Sequence, residues 1–134
     1  MQKIKFGEAQ DILKEGDILL FRGSGLISNL IKRYTGGVHS HVAIAHKDGN
    51  VWMCAEFREF KGGRTVSLQS QVGQCDSCID VFRPVSSVSY VVLNDKKIEI
   101  IEKMYTKEVA QAVSEDIIRW TGQPYGWKNI WSMF

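Results

Sequence analysis

Apolar and other residues alternate most clearly between Gly37 and Phe60. Val42 and Ile44 form one run, and Val51, Met53 and Ala55 form another, with Asp48-Gly49 between them. Alternation with a period of two is the mark of a half-buried strand, and Asp-Gly between two such runs marks a tight hairpin turn. With Asp48 and Gly49 as the two turn residues, Ile44 faces Met53, Val42 faces Ala55 and His41 faces Glu56. Directly opposed side chains stand about 4.5–5.5 Å apart at Cβ. The register therefore sets an imidazole beside a carboxylate on one face, with Val42, Ile44, Met53 and Ala55 on the other. Cys54 falls on the face of Glu56, diagonal to His41. A carboxylate that orients a histidine is half of a nucleophilic triad. The same pairing also suits an ordinary ion pair on a sheet surface.

The remaining pattern predicts elements on both sides of this hairpin. Phe6, Ala9, Ile12 and Leu13 fit a short helix or an irregular lead-in. Ile18–Phe21, bounded by Gly16-Asp17 and Gly23-Ser24-Gly25, reads as a buried strand. Leu26, Ile27, Leu30, Ile31 and Tyr34 recur at helical spacing, with Ser24 as the expected N-cap and Gly36-Gly37 as the stop. After the hairpin, Lys61–Arg64 reads as a loop or bulge, Thr65–Leu68 as a short strand and Gln69–Ser77 as a polar loop. Ile79–Arg83 reads as a strand closed by Pro84. Tyr90–Leu93 fits a strand or the approach to a helix. Asn94 is the expected cap of a helix over Lys96–Tyr105. Thr106 is the expected cap of another that runs to Trp120, with Val109, Ala112, Val113, Ile117 and Trp120 facing inward. Trp52, Trp120 and Trp127 are expected in the core. The tail from Tyr125 to Phe134 reads as the start of a helix that continues further.

The length of 134 residues suits one domain over residues 1–134, and 44% apolar with 24% charged residues is a globular composition. A net charge of +2 with interspersed signs and no basic block does not suggest a nucleic-acid partner. The N-terminus lacks the apolar core of a secretory signal, and no apolar run is long enough to span a bilayer. A cytoplasmic location fits these features. Three cysteines, Cys54, Cys75 and Cys78, do not close a disulfide framework and fit reduced thiols. Cys75 and Cys78 form a lone C-x-x-C that reads as two loop thiols.

Other chemistry ranks lower. The glycine-rich elbow at Gly23–Gly25 matches neither phosphate-binding pattern. His39, two positions from His41, is expected on the same face, as a loop or cleft contact. With His41 and either Cys54 or Glu56 it forms the alternative of a metal site, although zinc usually gathers three or four closely spaced ligands. No cofactor or metal is expected. Ser40 and Tyr34 read as packing or capping residues. Arg22, Ser24 and Arg58 read as solvated surface, with cleft lining as the alternative. Glu15 and Asp17 fit a turn.

Three blocks, GDILLFRGSGLISNLIKRYTGG, HSHVAIAHKDGNVWMCAEF and IIRWTGQPYGW, occur in order between Gly16 and Trp127. Together they resemble the circularly permuted NlpC-type papain-like group, which includes the YiiX-like and lecithin:retinol-acyltransferase-like proteins. The resemblance implies an α+β fold, an antiparallel β-sheet with packed helices, and a Cys–His–polar site. It places the catalytic histidine at His41 and the acidic residue at Glu56, and implies a peptide, peptidoglycan or lipid substrate, a bacterial or bacteriophage source and a virion-associated location as the alternative to a cytoplasmic one. Its nucleophilic cysteine follows the G-x-P-Y motif on a helix, a position that no residue up to Phe134 matches. The expected activity is that of a cysteine peptidase, amidase or acyltransferase acting on amide or ester bonds. Three arrangements follow: a fold incomplete at its C-terminus, an inactive binding or structural module in a larger assembly, or Cys54 as substitute nucleophile. Cys54 reads first as a small hydrophobe on a half-buried strand.

Overall fold

The computed structural model describes residues 4–74, 79–84, 88–94, 97–103 and 106–126. The chain is α+β. In order it forms α1 (Phe6–Ile12), β1 (Ile18–Phe21), α2 (Leu26–Thr35), β2 (His41–Asp48), β3 (Val51–Arg58), β4 (Gly62–Ser67), α3 (Leu68–Gln74), β5 (Ile79–Phe82), β6 (Val88–Asn94), β7 (Lys97–Lys103) and α4 (Lys107–Arg119). Five strands make one antiparallel sheet in the order β4-β3-β2-β1-β5, and β6 pairs with β7 in a separate two-stranded sheet.

The central hairpin forms, but one residue later than the Asp-Gly signal suggests. Gly49 and Asn50 are the turn residues, and Asp48 pairs with Val51. Of these two, Gly49 alone takes a positive φ, 56°, the sign pattern of a type II′ turn. A type I′ turn at Asp48-Gly49 would force a non-glycine residue into that region as well. Moving a two-residue turn by one position moves each partner by two, so both strands keep their faces. Glu56 is thus opposite Ala43, not His41, and His41 becomes its diagonal neighbour on the same face.

The two faces of the sheet are covered unequally. Leu19, Phe21, Ala43, Ala45, Trp52 and Cys54 on the His41 face pack with Leu13 and Leu68 into the main core, joined by Phe6, Val66, Val72 and Ile79. The buried face is therefore the one that carries His41 and Glu56, while Val42 on the opposite face is 53% exposed. Each fully buried large side chain here contributes on the order of 1.5–3 kcal/mol. Helix α1 is pinned to this face by Trp52, whose Nε1–H donates to the Gln10 carbonyl at 3.0 Å.

Helix α4 lies across the other face at β2, β3 and β4. Thr106 caps it by accepting from the Val109 amide, as expected. Its buried residues are Ala110 and Ser114, whereas Val113 and Trp120 are exposed. The small pair lets the helix sit close to the sheet, near enough for the Ser114 hydroxyl to donate to the Ala45 carbonyl at 3.3 Å. Beyond α4, the Gly63 amide donates to the Gln123 carbonyl at 2.8 Å and the Gly122 amide to the Gly63 carbonyl at 2.7 Å. A Cβ on Gly63 would fall 2.1 Å from the Trp120 carbonyl oxygen, so only glycine admits this contact.

Several sequence expectations are corrected. The helix expected over Lys96–Tyr105 is strand β7, because Lys97–Lys103 pairs along its length with the β-branched β6. Such pairing overrides the helical spacing of Ile98 and Ile101. The polar loop after Leu68 begins as α3, with Leu68 anchored in the core. Strand β4 starts at Gly62, not Thr65. Helix α2 forms as expected, but Gly25 occupies its N-cap without a side-chain bond, and none of its residues is buried. Trp127, Cys75, Cys78 and the apolar tail from residue 127 lie outside the described residues. No helix among those described is long and apolar enough to cross a membrane.

Candidate active site

Strands β2 and β3 position the candidate dyad. His41 opens β2 beside Phe21, with ring centroids 5.4 Å apart, and Glu56 lies near the end of β3 with its side chain fully buried. His41 Nε2 lies 2.5 Å from Glu56 Oε2. The other carboxylate oxygen accepts from Arg64 of β4, at 2.8 Å from Nε and 2.5 Å from a terminal nitrogen. Arg64 is the β4 partner of Glu56 in the ladder, so the same register that places the acid also places its counter-ion. Arg58, two residues along β3 and on the same face, approaches to 3.7 Å from Oε2.

Burial pushes the Glu56 carboxyl up, but hydrogen bonds from His41 and Arg64, with the charges of His41 and Arg58, outweigh it and hold the group below its ordinary 4.5. An ionised carboxylate only accepts. His41 Nε2 must therefore carry the hydrogen, which leaves Nδ1 as the ring atom able to take a proton. Cys54 shares this face but is buried. Burial and then the charge of Glu56 push its thiol up to about 12, against a smaller pull from Arg58 and Arg64. Cys54 packs in the core, and its burial disfavours the thiolate that nucleophilic catalysis needs.

His39 does not join His41. Asp80 of β5 pairs with Leu20, which pairs with Val42, so Asp80 lies on the opposite face of the sheet. His39 turns to that face, with Nε2 2.6 Å from Asp80 Oδ2 and its ring edge-on to Phe82. Arg22 completes this second cluster, its Nε donating to the same oxygen at 2.7 Å. Burial raises the Asp80 carboxyl, and the bonds from His39 and Arg22 more than reverse it, leaving it below the ordinary 3.8. The third histidine, His46, donates from Nδ1 to Glu15. The alternative metal site is thus taken apart: no group of three or more His, Cys, Asp or Glu residues among the described residues is arranged to hold an ion. Ser40 is structural, its hydroxyl accepting from the Gly23 amide at 3.2 Å.

Sequence reasoning did not single out Arg64, Asp80 or the pairing of Arg22. A lone aspartate inside the apolar run Ile79–Phe82 was the available signal, since a carboxylate in mid-strand needs a cationic partner. Nor did it pair Asp17 with Arg83, whose guanidinium donates to Asp17 at 2.7 and 2.8 Å and to the Ile12 carbonyl. That contact ties the turn before β1 to the end of β5.

No family model matches the chain, and no curated protein matches it.

Proposed function

We propose that the chain is a thiol-dependent acyl-transfer domain of the permuted papain-like kind, acting on amide or ester bonds of peptidoglycan peptides or lipid acyl groups. One observation carries the reading: the hydrogen bond from His41 Nε2 to a fully buried, ionised Glu56. In this role Glu56 holds the ring orientation and tautomer. Nδ1 takes the proton of an attacking thiol and gives it to the leaving amine or alcohol as the thioester forms, then takes a proton from water or an acyl acceptor and returns it to the thiolate as the thioester breaks. Among the described residues no thiol suits the attack. The G-x-P-Y segment, Gly122–Tyr125, docks on Gly63 beside the end of β3.

The test is hydrolysis of peptidoglycan fragments and of phospholipid esters by the protein, before and after thiol alkylation. Turnover should be thiol-dependent and should fall by about 10²–10⁴-fold in His41→Ala. Turnover that survives both treatments would overturn the reading. The unsuitability of Cys54 favours a second reading, a non-catalytic binding module in a larger assembly, and folded protein without any turnover would support it.

A further inference from the structure

We propose that Arg58 is a specificity residue that receives a carboxylate of a peptide substrate beside His41. The inference deepens the acyl-transfer reading and rests on it for the role of His41. It starts from a mismatch in charge. Among the described residues three carboxylates are buried, and two of them take one arginine each: Asp17 takes Arg83 and Asp80 takes Arg22. Glu56 faces two. Arg64 takes Oε1 through two donors and His41 takes Oε2, while Arg58 meets Oε2 only as a longer ion pair, its Nε at 3.7 Å. Arg64 and Arg58 together carry one positive charge more than Glu56 balances.

That charge is accessible. The Arg58 side chain is 31% exposed while Glu56 beneath it is fully covered. The alternation along β3 sets Arg58 on the face of Glu56, at the end of the strand near His41. The next carboxylate in the chain, Glu59, lies by Tyr125, where its charge adds to burial in raising the phenol. A guanidinium presents parallel N–H groups in a plane, the shape that a carboxylate accepts edge to edge, and a carboxylate carries the single negative charge that the cluster lacks. A peptide held in this way would have its anionic end fixed and a neighbouring carbonyl brought toward His41. A phosphodiester is the competing anion and is separated by the test.

Binding is read without turnover. Acetyl-dialanine as the free acid, its C-terminal amide and glycerophosphocholine are titrated into the protein by ¹H–¹⁵N NMR, with the Arg58 side-chain Nε–H and the His41 ring followed. The free acid should bind saturably and shift both signals, and the amide should bind at least roughly tenfold more weakly. Arg58→Gln should lose that preference and Arg58→Lys should keep part of it. Thermal melts should show cooperative unfolding of both variants, Arg58→Gln slightly below the parent because the Arg58 charge helps hold Glu56 ionised. Equal binding of acid and amide, a preference unchanged in Arg58→Gln, tighter binding of glycerophosphocholine, or no binding at all would each overturn the proposal. Preferential binding without thiol-dependent turnover would uphold Arg58 and sink the proton-transfer role of His41. Turnover without the preference would do the reverse.

Discussion

Two clusters of the same composition sit on opposite faces of one sheet. His41, Glu56 and Arg64 occupy the core face, and His39, Asp80 and Arg22 the open one. Both carboxylates accept from an imidazole and a guanidinium, and both are held below their ordinary pKa. The difference lies in what surrounds them. Glu56 is covered by the sheet and the helices, and its arginine is 20% exposed. Asp80 is on the edge strand, itself 5% exposed, and its arginine is 42% exposed. The same three residue types thus make a covered dyad in one place and, in the other, a buried carboxylate whose histidine and arginine are part-exposed. Chemistry that needs a fixed tautomer belongs to the first.

Removing one acid from each cluster should separate them most. Glu56→Ala leaves a partly buried guanidinium unpaired and should lower the unfolding free energy by about 3–5 kcal/mol. Asp80→Ala, with solvent ready to take up Arg22, should lose about 1–2 kcal/mol. Urea unfolding of both variants measures this, and equal losses would break the distinction.

The thiol under the buried cluster offers a second measure. With Cys54 at about 12 rather than the ordinary 9.0, its alkylation at pH 8 should be about a thousandfold slower in the folded protein than in urea, from the thiolate fraction alone. Peptide mapping after iodoacetamide treatment gives the rate. Fast labelling of Cys54 in the folded state would mean that the core face is open.

Acid should act on both clusters with the same sign. A carboxylate whose folded pKa is depressed contributes stability that is complete above its unfolded pKa and is lost as pH falls through the folded one. For Glu56 the loss begins below about 4.5, and for Asp80 below about 3.8. Glu56→Gln should flatten the first part of the acid limb of a stability–pH curve, and Asp80→Asn only the lower part.

Salt should give the smallest effect. Raising the ionic strength to about 1 M shortens the screening length to about 3 Å. The cost of Asp80→Asn should then shrink by a few tenths of a kcal/mol, while that of Glu56→Gln stays unchanged within error in the same unfolding assay.

Much of the sheet was legible in the sequence. Strands β1, β2, β3 and β5 announce themselves by apolar runs or alternation between glycine and proline signals, and Thr106 by its capping position. The dyad was legible because its faces depend on the parity of a hairpin, which survived a turn displaced by one residue. The β6–β7 hairpin was not, since Ile98 and Ile101 satisfy a helical period as well as Ile98 and Ile100 satisfy a strand period, and only the partner strand decides. The inward face of α4 was misjudged because close docking on β3 and β4 selected Ala110 and Ser114 over larger residues.

From local pattern alone, the chain determined that His41 and Glu56 share one face of a hairpin, since side-chain direction in paired strands follows from backbone geometry. Tertiary structure decided which face is dry, which arginine neutralises which acid, and that His39 crosses to the opposite side. Those outcomes depend on strands and helices distant in sequence, and the energy of a charge is set by everything packed around it rather than by its neighbours along the chain.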